Sequence, residues 1–577
     1  MQDLRLIFRY GRPYHRDLIA AVALIVVECG FEMVIPTLMA TLIDEGVPAQ
    51  DLAVILRQGG LMALCAVLAL VTGLLYARFA ARYANGFAAE LRKAEYAAVE
   101  KFDFANLDHF SGASLVTRMT TDATVLLNAV NTGLRPLVRS PVMLCMGLCM
   151  AFVLSPQLTV VFLVAAPILA LMLGWIVSRV APLYGRQQRA VDRLNGRIQE
   201  SLTGIRAIKA FVRGEWENEQ FGAVNGELCD ASTETFRHAV LNTPSFQAVM
   251  YAAIVCIMWF GGTFILNGTM QVGQLTGFLS YVLQVLNSVM MFSGVFLQMT
   301  RSLASARRIR EVLTETPDLA DAAHPVTQIP DGAIDFENVS FKYNPQAKKN
   351  ALSDITLHIP AGATVGVIGG TGSAKTTLVQ LIPRLYDATE GTVRVGGRDV
   401  RDYDLAVLRD AVGIVLQKNL LFSGTIRDNL KWGKPDATDG ELWAACRAAH
   451  ADEFLRRMPD GLDTDLGQGG VNVSGGQKQR LCIARTLLKQ PKVLIFDDST
   501  SAVDTATESG IRHALAELDG VTKIIIAQRI SSVQSADMIV ILDDGRLHAV
   551  GTHDELLARD SIYQEIYYSQ MKGGGVS

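Results

Sequence analysis

Six stretches of the chain, near residues 18–42, 59–81, 133–154, 157–180, 245–267 and 273–298, are apolar over enough length to cross a hydrocarbon core as helices, which takes about 20 residues. Six crossings return the chain to the side on which it began. The first run follows an amphipathic opening with Arg5, Arg9, Arg12 and Arg16, the pattern of an elbow lying on the cytoplasmic membrane surface. The connections near 43–58, 155–156 and 268–272 are short and carry little positive charge beyond Arg57, so they are expected to face outward. The long connections, 82–132 and 181–244, hold Arg92, Lys93, Lys101, Arg118, Arg186, Arg189, Arg193, Arg206, Lys209 and Arg213, which places them in the cytoplasm. They read as helical, so the crossing helices are expected to continue far beyond the membrane, with turns around Asp108 to Ser114 and Gly214 to Glu217 at their tips.

Half of the 577 residues are hydrophobic, yet the apolar runs crowd into the first 300 and the remainder has ordinary globular composition, so the chain is built for two solvents. The net charge of -4, with Lys and Arg spread among acids, excludes a nucleic-acid footprint. Eight cysteines show neither a disulfide framework nor zinc spacing. Glu28 and Glu32 stand four apart in the first crossing; intramembrane acids either serve a substrate or proton path or pair with another helix. Pro317, Pro325 and Pro330 end the helical pattern, giving a membrane domain over 1–316, a linker over 317–332 and a soluble domain over 333–577.

In the soluble part, a strand-like run ending at Ile368 leads into Gly369, Gly370, Thr371, Gly372, Ser373, Ala374, Lys375, Thr376 and Thr377, and then a helical pattern. A loop of this kind aims backbone N–H groups and a helix N-terminus at phosphates, sets the Lys375 ammonium on the outer phosphates and offers the Thr376 hydroxyl to magnesium. A second element, Val493 to Asp498, is a buried strand ending in two acids, with Asp497 placed to hold Mg2+. Between the two lie Gln417 and the stretch Val473, Ser474, Gly475, Gly476 and Gln477.

With these motifs in this order, the sequence resembles the ATP-binding cassette (ABC) transporters over essentially its whole length, and Val473 to Gln477 with Lys478 to Arg480 is the specific signature of that family. The resemblance implies an all-α six-helix transmembrane domain of the type IV exporter architecture, followed by an α/β P-loop nucleotide-binding domain with an α-helical subdomain. It implies ATP and Mg2+ as cofactors, Tyr343 stacking on adenine, Gln417 sensing the γ-phosphate and completing the metal shell of Thr376 and Asp497, and a D-loop at Ser501 to Asp504. Two chains would sandwich two ATP molecules, each between one chain's phosphate loop and the other's Ser474 to Gln477. A location in the bacterial inner membrane follows, with both termini cytoplasmic.

The sequence departs from the family pattern at four places. Asp498 stands where the family has a catalytic Glu, and its carboxylate is withdrawn by more than about 1 Å, enough to lose general-base reach. Gln528 stands for the switch His and carries no proton near neutral pH. Ala374 replaces a Gly where the backbone approaches phosphate, and Gly467 to Gly470 replaces an acid and an Arg. These changes fall on groups that serve one nucleotide, whereas the signature serves the other. The pattern resembles the subunit of heterodimeric bacterial multidrug-type exporters that carries a degenerate site, with a partner chain supplying Glu and His. A small amphipathic substrate would leave the cytoplasm. A homodimer in which Asp498 is a slow base, and a non-transporting ATP-gated regulator, are the alternatives.

Overall fold

In the computed structural model, which describes residues 6–497 and 505–573, the apolar runs are helices. They are α1 (His15–Thr41), α2 (Leu52–Val99), α3 (Ala123–Leu154), α4 (Pro156–Thr203), α6 (Asn242–Leu266) and α7 (Val272–Thr314), with α5 (Gly214–Ala239) between α4 and α6. Among the described residues six helical segments are long and apolar enough to cross a membrane, as the pattern of apolar runs predicts.

The helices begin where the sequence supplies caps. Asp51 accepts the Ala53 N–H at 2.9 Å to open α2. Ser155, in extended conformation, accepts the Leu158 N–H, and Pro156 follows at the first helical position, so α3 turns directly into α4. Asp44 accepts the N–H groups of Gly273 at 2.5 Å and Gln274 at 2.9 Å, setting a carboxylate on the positive end of α7.

Helix α2 has 48 residues and at about 1.5 Å per residue is about 72 Å long, more than twice a hydrocarbon core of about 30 Å. Its excess extends on the side of the positively charged connections. On the same side α4 and α5 run antiparallel, joined by Arg186 to Glu234 at 3.2 Å, Arg193 to Glu227 at 2.7 Å and Arg197 to Glu217 at 2.6 Å. The first two pairs are solvent-exposed and are worth under about 1 kcal/mol each, so they set register more than stability. Deeper in the bundle, buried Asp122 accepts from Ser305 Oγ at 2.8 Å and Arg308 Nε at 2.7 Å, tying the start of α3 to α7.

The chain divides into two compact units: one runs to Lys101 and from Phe110 to Glu315, and the other comprises Phe102–His109 and everything from Thr316 onward. In the second unit the strands are β1 (Ile334–Phe341), β2 (Leu352–Ile359), β3 (Thr364–Ile368), β4 (Glu390–Val395), β5 (Arg398–Asp399), β6 (Val412–Val415), β7 (Val493–Asp497), β8 (Thr522–Ile526), β9 (Met538–Asp543) and β10 (Arg546–Gly551). A four-stranded sheet has the order β2-β1-β4-β5, and a six-stranded sheet the order β10-β9-β3-β8-β7-β6. Strands β3, β6, β7, β8 and β9 are mutually parallel. Covered on both faces, they read as the near-continuous apolar runs that parallel sheets require. A separate helical core forms around Leu430, Leu442, Leu455, Leu481 and Ile483.

The short segment from the tip of the first long connection belongs to this second unit because its polar groups are satisfied there. Buried Asp103 accepts the Asn106 N–H at 2.9 Å, the Asp318 N–H at 2.7 Å and the Leu319 N–H at 3.1 Å. Tyr386 donates its hydroxyl to Asp108 at 2.8 Å, and Phe104 packs edge-on against the Tyr386 ring.

Candidate nucleotide site

The register of the parallel strands gathers the motifs. Val367 of β3 and Asp497 of β7 both pair with Ile526 of β8, and Phe496 of β7 pairs with Val415 of β6. Three chain segments therefore leave the sheet at the edge where β7 ends in Asp497: the loop from Gly369, Gln528 two residues past β8, and Gln417 two residues past β6. This is the carboxyl edge at which open α/β sheets bind ligands.

The loop from Gly369 to Ala374 opens helix α8 (Lys375–Gln380). Gly369 has φ 154°, and a Cβ there would lie 2.1 Å from the Leu542 carbonyl oxygen, so any side chain is excluded. The Lys375 ammonium folds back over the loop, donating to the carbonyls of Gly369 at 2.9 Å and Gly370 at 2.8 Å. Thr376 Oγ1 donates to Asp497 Oδ1 at 2.9 Å, bringing together two residues assigned to magnesium from sequence. Thr377 Oγ1 lies 2.9 Å from the Tyr343 hydroxyl. A cavity of about 410 Å³ is lined by Gly372 to Thr377, Tyr343, Lys349, Asn350 and Asp544, among others. Burial and the Thr377 contact act oppositely on the Tyr343 phenol, burial prevailing to push its pKa up.

Ala374 is left-handed, at φ 68° and ψ 27°. Its methyl packs against the core of the β-strands. The extra carbon, expected from sequence to bear on phosphate approach, is thus expressed as backbone conformation.

The signature forms a cap of its own. Ser474 precedes α9 (Gly475–Leu487), its N–H bonded to Gln477 Oε1 at 2.8 Å and its hydroxyl accepting the Gln477 N–H. Arg480 bonds the His450 carbonyl at 2.9 Å and lies over the Phe454 ring, fixing α9 in the helical core. Among the described residues, Ser474 to Gln477 are not part of the lining of the cavity beside the phosphate loop, nor are Gln417 and Gln528, which are exposed at the sheet edge. The Gln528 carbonyl accepts from Gln570 Nε2 at 2.8 Å. Asp498 and Ser501 to Asp504 lie outside the described residues. The glycine run has φ 65° at Gly467, 67° at Gly469 and 70° at Gly470, left-handed conformations that suit glycine.

Several residues escaped the sequence reading. Lys349, bonded to Asp544 at 2.5 Å, lines the nucleotide cavity, and no spacing announces it. In the membrane unit, Glu28 and Glu32 are paired with Arg135 and Arg139. Those arginines sit inside a run whose average hydropathy conceals them, although four-residue spacing on both helices was a usable signal.

Comparison with known proteins agrees with this fold. Residues 18–289 match the model of the ABC transporter transmembrane region, and residues 352–501 match that of the ABC transporter. YfiB, an ABC transporter ATP-binding protein of Bacillus subtilis, is 36% identical over 97% of this chain and 97% of its own length. The ABC transporter ATP-binding protein Rv1273c of Mycobacterium tuberculosis is 37% identical over 98% of each chain. YgaD of Bacillus subtilis, described as a putative multidrug export ATP-binding/permease protein, is 31% identical over 97% of this chain and 98% of its own. The structure of a bacterial Atm1-family ABC exporter with ATP bound superposes with a TM-score of 0.82 at 25% identity, covering 96% of this chain and 99% of that one. A membrane region and an ATP-binding domain thus follow each other in one polypeptide: the chain belongs to the ABC transporters, multi-pass membrane proteins whose ATPase is coupled to transport.

Proposed function

We propose that this chain is one half of an exporter that moves an amphipathic substrate out of the cytoplasm of a bacterial cell, and that it works with a different ABC chain. Its own phosphate loop, with Tyr343 against adenine and Lys375 on the outer phosphates, holds one ATP. Thr376, Asp497 and Gln417 are the residues that would hold Mg2+, which when bound neutralises charge building on the phosphates. Turnover of that ATP is slow, because position 498 carries an Asp and position 528 a Gln. The signature residues Ser474 to Gln477 meet the second ATP, on which the partner's Glu and His act.

The observation that carries the reading is the strand register. Asp497 is level with Ile526, so β7 and β8 end at one sheet edge, which supports reading the departures at positions 498 and 528 as acting on the same nucleotide. The capped start of α9 is intact. Support for export comes from the likeness to the putative multidrug export protein YgaD and to the Atm1-family exporter.

The test is ATP turnover by the purified chain in lipid, beside the double change Asp498→Glu with Gln528→His. The expected result is negligible turnover alone, restored by the double change or by a partner chain that carries Glu and His. Brisk magnesium-dependent turnover by the unmodified chain alone would overturn the degenerate-site reading and leave a homodimeric pump.

A further inference from the structure

The membrane unit holds a cluster of four charged side chains. Glu28 and Glu32 on α1 are four residues apart, as are Arg135 and Arg139 on α3, so each helix presents its pair on one face. Arg135 Nη2 reaches Glu28 Oε1 at 2.5 Å, Arg139 Nη1 reaches the same oxygen at 3.2 Å, and Arg139 Nη2 reaches Glu32 Oε2 at 2.5 Å. Gly73 of α2 closes over the carboxylate, where a Cβ would lie 3.3 Å from Glu28 Oε1. The place is built around that carboxylate.

Formal charge cancels across the four groups, but exposure does not. The Glu28 side chain is 4% exposed, Arg139 20%, Glu32 27% and Arg135 42%. The negative charge is inside and a guanidinium is outermost. Arg135 spends part of its donor fork on Glu28 and lies with its guanidinium carbon 5.5 Å from the centre of the Tyr76 ring. The remaining N–H groups of its five have somewhere else to point. A guanidinium at membrane depth is costly against hydrocarbon, and such groups face a water-filled path or a polar partner. Glu28 Oε2 is buried without a hydrogen-bond partner. A carboxylate half-satisfied in this way attracts both arginines and holds their positions, leaving the outer guanidinium edge uncommitted. The adjoining wall is apolar, with Cys29, Met33, Tyr76, Ala80 and Met143.

We propose that Arg135 is the anion-recognition point of the transport path, that Glu28 positions it, and that the cargo is accordingly an amphipathic anion: an apolar body carrying a carboxylate, sulfonate or phosphate ester. The proposal names the substrate class of the exporter reading and rests on it for the word cargo. Planar guanidinium donors match such oxyanions by paired hydrogen bonds, which an ammonium does not reproduce.

The experiment uses the whole transporter in nanodiscs of zwitterionic lipid. Binding is read by fluorescence anisotropy of three matched probes: pyrenebutyrate, pyrenebutanol and pyrenebutyl-trimethylammonium. The anion is expected to bind about tenfold or more tighter than the alcohol, the difference that a charge-assisted hydrogen bond supplies, and the cation to bind most weakly. Arg135→Gln should bring the anion to within about twofold of the alcohol while the alcohol's own affinity holds, and Arg135→Lys should restore part of the preference. Glu28→Gln separates positioning from net charge: loss of anion affinity supports positioning, whereas a gain means that only bulk positive charge matters and overturns that role. Equal binding of all three probes, or an Arg135→Gln change that weakens anion and alcohol alike, overturns the proposal. ATP-driven uptake into inside-out vesicles distinguishes the two readings. Anion preference without any uptake sinks the exporter reading alone, and uptake confined to the alcohol or the cation sinks the anion proposal alone.

Discussion

Ala374→Gly tests whether the phosphate loop's departure from the family pattern acts through conformation or through space. At φ 68° and ψ 27° the alanine holds a left-handed backbone in which an L-residue lies about 1–2 kcal/mol above its preferred state. Glycine removes that cost but returns about 0.4–1 kcal/mol as extra freedom of the unfolded chain. With the small loss of a methyl packed on the strand core, the net gain is about 0.5–1 kcal/mol in favour of glycine. If bound nucleotide leaves this conformation unchanged, the strain is common to both states and cancels from binding. Two numbers follow, one for local stability and one for affinity. Exchange of the Leu378 amide, which bonds the Ala374 carbonyl at 3.0 Å, should slow about two- to fivefold in the variant, read by hydrogen exchange on the full chain. Affinity for a fluorescent ATP analogue should stay within about twofold, because a cost common to free and bound states drops out. An affinity gain of about tenfold or more, with unchanged exchange, would refute the reasoning and return the methyl to the phosphate side.

Two further outcomes are expected. Asp103→Ala removes three hydrogen bonds from backbone N–H groups to a buried carboxylate, so segment 102–109 should open more readily by about 2–3 kcal/mol, seen as faster exchange there and faster proteolysis, with Asp103→Asn intermediate. Burial pushes the Cys446 thiol up to about 12, so raising the pH from 7 to 9 leaves it protonated and unreactive toward maleimide in the folded protein, while exposed Cys229 is labelled; rapid native labelling at Cys446 would contradict the packing.

How far the sequence leads depends on which physical rule sets each feature. Crossing helices are dictated by length and hydropathy alone, so six runs could be counted without any tertiary knowledge. The phosphate loop is also local, since glycines, lysine and threonine must follow one another at fixed spacing. By contrast, the bond between Thr376 and Asp497 spans 121 residues and depends on β3, β8 and β7 being neighbours, which the sequence supplies only through family likeness. Asp103 is harder still. Its partners are backbone N–H groups of Asp318 and Leu319, which leave no trace in side-chain identity. Arg135 and Arg139 were visible but averaged away by a hydropathy window, because a long apolar helix tolerates two cations when two acids on its neighbour receive them.

The arrangement of the nucleotide groups also explains why changes at Asp498 and Gln528 need not silence a transporter. Within one chain the cavity beside the phosphate loop is lined by Tyr343 and Gly372 to Thr377, among others, and not by Ser474 to Gln477. The hydroxyl and amide of Ser474 and Gln477 are spent on each other, yet the N–H groups of Gly475 and Gly476 lie in the first turn of α9, where an intrahelical acceptor is lacking. A helix start of that kind is a ready receiver for phosphate, and no phosphate held by its own chain's loop has this start in its cavity wall. Under the proposed two-chain arrangement, each chain carries two half-sites that answer to different nucleotides. On the reading proposed above, the departures at 498 and 528 would touch only one of them, and the half-site at Ser474 would keep its function. On that logic Ser474→Arg, which blocks the second nucleotide, should abolish transport by a heterodimer more completely than any further change at position 498.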